Sequence, residues 1–192
     1  KNGTWEALNR QLREDLREAD GRERTPSAAI IDSQTVKMSA VKGERGYDGG
    51  KKMVGRKRHT LVDTMGLIMM VIITTANIQD RDGAKQVFEA ISLRFPRLKL
   101  IWADGGYRGK LIGWVKTRFN WVLEIIKRND DVTGFKVLPR RWVVERTFSW
   151  LVKYRRLNRD YEILTDTGEA LIYVAMIHIM TRRLAKKVAD PP

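Results

Sequence analysis

Two short runs of buried-strand character each end on a carboxylate: AAIID on Asp32 and LKLIWAD on Asp104. A carboxylate left unpaired in apolar surroundings costs several kcal/mol or takes up a proton. Each strand end is therefore an odd place for an anion unless it binds something positive. A third carboxylate, Glu145, sits inside the apolar segment WVVERTFSW. Hard cations such as Mg²⁺ take oxygen ligands, and two of them held by carboxylates can activate a nucleophile and stabilise a leaving oxygen in phosphodiester chemistry. Asp32, Asp104 and Glu145 are thus the candidate catalytic and metal-binding residues. Each also has an ordinary reading. Asp104 before Gly105 and Gly106 can open a turn, and Glu145 can pair with Arg141 one helical turn away. Asp63, Asp80 and Asp82 are rival acids, of which Asp80 or Asp82 suits the cap of a helix starting near Gly83. His59 and His178 each lack a second histidine at ligand spacing and read as structural. Trp142 and Trp150 read as core, with stacking on an unpaired base as the alternative.

The pattern around these acids predicts an order of elements. Thr4 to Ala19 places Trp5, Leu8, Leu12 and Leu16 at spacings of three and four, a packing helix, and residues 21–27 form a connector. Ala28 to Val36 is a strand. The segment GERGYDGGKKMVG is too polar and glycine-rich for core. Arg56 to Thr64 and Leu67 to Thr75 flank Met65 and Gly66 as a hairpin. Arg81 to Phe95 is a helix closed by Pro96, Leu98 to Ala103 a strand, Tyr107 to Phe119 a helix, Trp121 to Lys127 a strand and Asn129 to Gly134 a turn. Arg140 to Leu157 and Gly168 to Lys187 are helical. Three antiparallel strands, helix, strand, helix, strand and two helices is the ribonuclease H-like order: α/β, with a mixed five-stranded sheet flanked by helices. In it the first and fourth strands lie side by side, so Asp32 and Asp104 become neighbours and a returning helix delivers Glu145. The expected organisation is an N-terminal helix and connector (1–27), one catalytic domain (28–187) and a tail (188–192).

Charge points to the partner. Lys and Arg number 37 against 23 Asp and Glu, a net charge of +14. The surplus gathers in residues 42–58, with seven basic and two acidic side chains, and 136–160, with eight and two. Such clusters suit a polyanion, because neutralising phosphates releases condensed counterions; a solvated basic face without a partner is the plainer alternative. Lys51, Lys52, Arg56, Lys57, Arg140, Arg141, Lys153, Arg155 and Arg156 are the candidate phosphate contacts. With no cysteine, disulfide, zinc-thiolate and thiol-nucleophile chemistry is excluded, which suits a reducing cytoplasm. The longest uncharged apolar run, Ala170 to Met180, is about half of the ~20 residues a membrane helix needs, so a soluble protein is expected.

The segments IIDSQTVK, GYDGGKKMVGRKRHTLVDTMGL, ANIQDRDGA, IWADGGYRG and RRWVVERTFSWLVKYRRLNRDYE, in that order, resemble the catalytic half of bacterial insertion-sequence transposases, in the group akin to insertion sequence five. The resemblance covers about residues 28–165. It implies a ribonuclease H-like fold without a large β insertion, with Asp32, Asp104 and Glu145 as the metal-binding DDE triad for two Mg²⁺ or Mn²⁺ ions. Arg141 matches the arginine of the family's tyrosine, arginine, glutamate and lysine signature; Leu138 stands where the tyrosine is expected, and Val152, beside Lys153, where the lysine is. The implied activity is phosphodiester hydrolysis at element ends followed by strand transfer of the 3′-hydroxyl into target DNA. The implied partners are double-stranded DNA, as terminal inverted repeats and target, and further copies of the chain in a homodimer or larger assembly, in a bacterial, nucleoid-associated setting. A DNA-binding remnant without transposition, or a nuclease of the same fold, are the alternatives.

Overall fold

A computed structural model describes residues 3–39, 42–126 and 140–189. The helices are α1 (Thr4–Ala19), α2 (Asp80–Ile91), α3 (Lys110–Phe119), α4 (Trp142–Leu151) and α5 (Thr165–Ala189), and the strands β1 (Ala28–Lys37), β2 (Gly46–Asp48), β3 (Met53–Asp63), β4 (Ile68–Thr75), β5 (Leu100–Ala103) and β6 (Val122–Ile125). One mixed sheet runs β2-β3-β1-β5-β6, with β4 also on β3. β1 lies antiparallel to β3 and parallel to β5, and β5 parallel to β6. This is the ribonuclease H-like arrangement.

The five expected strands are present. The sixth, β2, forms in the glycine-rich segment expected to be loop. Asp48 makes this possible: its carboxylate accepts from Thr35 Oγ1 at 2.5 Å and from the backbone of Gly50 and Lys51, closing a turn that returns the chain into β3. The Asn129 to Gly134 turn and Leu138 lie outside the described residues, as does most of the segment between β6 and α4.

Alternation along β1 assigns its neighbours. Ile30 belongs to a core shared with α1, α4 and α5, alongside Val62, Val144, Ile172 and Met176. Ala29 and Ile31 belong to the opposite core, with Leu61, Val87, Phe88, Ile101 and Val115 on the α2 and α3 side. Burial of both faces explains why β3 is enclosed from Gly55 to Asp63 despite its charged sequence.

α1 is tied to the β3–β4 hairpin. Asn9 and Arg13 both donate to the Ile68 carbonyl at 2.9 Å, and Arg17 pairs at 2.7 Å with Asp63, itself fully buried and accepting from Met65 and Leu67. The turn continues through Gly66 at φ 81°, a conformation glycine adopts without penalty. α4 docks here: Thr147 Oγ1 donates to the Gly66 carbonyl at 2.7 Å and Arg146 to that of Met65 at 2.9 Å. These bonds fix the helix that carries Glu145.

The helix expected through Leu157 ends at Leu151. The chain is drawn back toward the sheet instead: Arg58 Nη1 donates to the Leu157 carbonyl at 2.8 Å, and Asp160 bridges Met38 at the end of β1. Trp142 differs from its core expectation as well. It is 40% exposed, with the Arg146 guanidinium 4.2 Å from its ring, whereas Trp150 packs at the margin of the α5-side core.

His59 is wholly buried beneath α2, where Gly83 leaves room for its ring; a Cβ there would overlap it. Its Nε2 shares a hydrogen bond with Thr74. Burial pushes its pKa down to about 4, against an opposing pull from Asp80. Because the folded value is depressed, the unfolded chain binds the proton first. Stability is expected to fall as pH drops from about 6.5 to about 4 and then to level off as far as this group is concerned. Urea midpoints across that window should show a shallower decline in His59→Asn than in the parent.

Candidate active site

The parallel pairing of β1 with β5 runs Ala28↔Leu100, Ala29↔Ile101 and Ile30↔Trp102. The same offset two residues further along sets Asp32 beside Asp104, at the carboxyl ends of adjacent central strands. Asp32 follows Ile30 in phase and so faces α4. Its Oδ1 accepts from the Ser33 backbone N–H at 2.7 Å. Burial pushes its pKa up to about 7; Asp104 and Asp80 push the same way, while the Ser33 bond and Arg141 oppose.

Asp104 ends β5 by capping the single 3₁₀ turn Gly105–Tyr107, its Oδ1 accepting from Gly106 N at 2.8 Å. The turn reading and the site reading are therefore both satisfied by one side chain. Oδ2 remains 3.7 Å from Arg141 Nη2, and the same Nη2 lies 3.4 Å from Glu145 Oε1. Asp104 and Glu145 thus share one guanidinium nitrogen as a common partner, on the face that Asp32 also presents. The three acids come from β1, the end of β5 and α4, as their order along the chain predicts.

The donor set is entirely oxygen, and Arg141 supplies positive charge among acids that would otherwise repel. Among the described residues no three acidic or histidine side chains lie close enough together to hold a metal ion between them. An open set fits Mg²⁺ or Mn²⁺, since Mg²⁺ uses one or two carboxylates and completes its shell with water and substrate phosphates.

Asp80 is the residue the sequence reading placed elsewhere. It does not cap α2; the cap position is Gln79, without a side-chain bond. Its Oδ1 instead accepts from Ser33 Oγ at 2.8 Å and pairs with Lys57 Nζ at 3.0 Å. The signal available was that Asp80 falls in ANIQDRDGA, a segment with no hydrophobic reason to be distinctive. Tyr107 is enclosed under the same region, and burial, followed by Asp32, Asp80 and Asp104, pushes its pKa well above the ordinary phenol value. The other rival acids are structural: Asp63 pairs with Arg17 and Asp82 with Lys85.

The basic candidates divide. Lys51, Lys52, Arg140, Lys153, Arg155 and Arg156 are exposed, Arg140 resting 4.5 Å over the Trp102 ring and Arg156 held by Glu162 at 2.7 Å. Arg141 is engaged by the two acids. Arg56 and Lys57 are corrections: they are 1% and 7% exposed and cannot meet a phosphate. Arg56 is consumed by Glu44, Asp160, Glu162 and Ile163, Lys57 by Asp80, Asp48 and the Ile78 carbonyl. No helix among the described residues is long and apolar enough to cross a membrane.

The family profile described as "Transposase DDE domain" matches residues 23–180. A curated Burkholderia cepacia protein named as a candidate transposase for insertion sequence element IS402 is 30% identical over 125 residues, 62% of this chain and 59% of the relative. Among solved structures, the Mos1 strand transfer complex aligns over 99% of this chain and 62% of its own at 12% identity and a TM-score of 0.42. The catalytic domain of Mos1 mariner transposase aligns over 99% and 95% at 10% identity and 0.41.

Proposed function

The chain belongs to the transposase DDE domain family, and from that premise we propose that it is the catalytic part of a DNA transposase. It hydrolyses a phosphodiester at the element ends and passes the freed 3′-hydroxyl to target DNA. The observation that supports this reading is the register that sets Asp32 beside Asp104, with Arg141 reaching both Asp104 and Glu145. Asp32 and Asp104 would hold Mg²⁺ or Mn²⁺, with Glu145 completing the set; such ions, when bound, activate the attacking oxygen and neutralise charge on the leaving one.

The protein's own part is positional. Ser33 N–H and Gly106 N–H each hold one oxygen of an aspartate, fixing which oxygens remain free. Arg141 balances Asp104 and Glu145 and stands ready to contact a phosphate. The exposed Lys51, Lys52, Lys153 and Arg155 offer sequence-independent backbone contacts. Double-stranded DNA is the proposed partner, together with a second copy of the chain, because joining two element ends to one target requires two such sites.

The test is nicking of a terminal-repeat duplex by the protein with Mg²⁺ or Mn²⁺. Cleavage leaving a 3′-hydroxyl, lost on adding EDTA and restored by excess metal, is the expected result. Cleavage that persists in EDTA would overturn the reading.

A further inference from the structure

Ser33 and Asp32 are consecutive residues of an extended strand and face opposite sides of the sheet. Asp32 looks toward α4; Ser33 looks toward α2, where its hydroxyl donates to Asp80 Oδ1 at 2.8 Å. The backbone N–H of that same Ser33 holds Asp32 Oδ1 at 2.7 Å. On the other strand, a Cβ added at Gly106 would stand 3.0 Å from Asp104 Oδ1 and 3.6 Å from Asp80 Oδ2. Asp80 therefore lies against the turn whose N–H holds Asp104. One carboxylate thus bonds the residue that orients Asp32 and stands beside the turn that orients Asp104, and Lys57 Nζ at 3.0 Å anchors it from β3.

We infer that Asp80 is a positioning residue for the two-aspartate site: it braces Ser33 and the Gly105–Gly106 turn and so sets the spacing and direction of Asp32 and Asp104 for divalent-metal binding. This rests on the proposed function of that site. Outer partners of metal ligands act in this way, and losing one commonly weakens metal binding by about 10- to 100-fold. Among the described residues the Asp80 carboxylate bonds Ser33 and Lys57, so its effect on the two aspartates passes through backbone.

A merely structural role has a different signature. Asp80→Ala strands Lys57, which is nearly buried and left with Asp48 at 3.7 Å and the Ile78 carbonyl. Asp80→Ala with Lys57→Met removes both charges; Asp48 keeps Thr35 and two backbone donors. The experiment is titration of the protein with Mn²⁺ alone, bound ion being read by loss of the free-Mn²⁺ paramagnetic resonance signal, with thermal unfolding in parallel. The expected result is weaker Mn²⁺ binding by about 10- to 100-fold in Asp80→Ala, persisting in the double variant after its unfolding temperature has recovered. Ser33→Ala should shift affinity in the same direction by less. Wild-type affinity in the double variant would overturn the inference, since only stranding of Lys57 would then have mattered. Absence of Mn²⁺ binding that depends on Asp32, in the parent protein, would overturn the reading of the site itself and this inference with it.

Discussion

Replacing Asp104 by alanine is expected to abolish metal-dependent nicking while leaving the unfolding temperature unchanged or slightly raised. The carboxylate is one-third exposed, and its ion pair with Arg141 is loose at 3.7 Å, so little stability depends on it. Its backbone bond to Gly106 closes an exposed turn where water can substitute. Removing it also relieves repulsion with Asp32 and Glu145. Activity stands on the opposite footing. Deleting one preorganised group that stabilises charge costs on the order of 10² to 10³ in rate, and a set of three carboxylates serving two ions has no spare ligand. Asp32→Ala and Glu145→Ala should behave alike, whereas Asp82→Ala, at a surface pair with Lys85, should leave nicking intact. Wild-type rates in any of the three triad variants would remove that residue from the catalytic set.

The second large effect is on folding. Arg56→Ala should destabilise the protein by about 3 to 5 kcal/mol, the usual result of stripping one partner from a buried ion pair. Its guanidinium donates to Asp160 at 3.3 Å and to the carbonyls of Glu162 at 2.8 Å and Ile163 at 2.6 Å, while Nε reaches Glu44 at 3.0 Å. Without it, a 2% exposed carboxylate loses its charged partner and keeps the Glu162 backbone N–H, and several carbonyls lose this donor. Urea denaturation measures the loss directly. If Arg56→Ala instead kept its stability and bound duplex DNA more weakly, the arginine would be a phosphate contact after all.

That arginine also shows where sequence reading runs out. Two runs ending on Asp32 and Asp104 were readable because apolar residues in a short strand have few places to go, and the acids ending them need a shared partner. The helices α1, α2 and α5 declared themselves by periodicity. The RKRH run of β3 looked like a solvated basic stretch, because nothing local marks a charge as interior; its partner Asp160 is remote in sequence, and the burial comes from layers on both faces. Asp80 was ambiguous for a related reason. At the start of a helix an aspartate can cap the helix or turn away from it, and the choice was made by Ser33 and Lys57, two strands away. The early end of α4 was likewise set by Arg58 and Met38, which draw the following chain back to the sheet.

The opposed facing of Asp32 and Ser33 has a consequence for how this strand can vary over time. Substitutions along β1 alter one side chain each, but inserting or deleting a single residue between Ala28 and Asp32 would turn every later position through the sheet. The carboxylate would arrive under α2 and the hydroxyl under α4, exchanging the inventories of the two layers. β1 should therefore accept point changes at its apolar positions and reject length changes altogether, whereas the exposed turn at Gly49 and Gly50 has room for both. A library of single-codon insertions scanned across residues 28–50 would record that contrast as a sharp boundary in tolerated length.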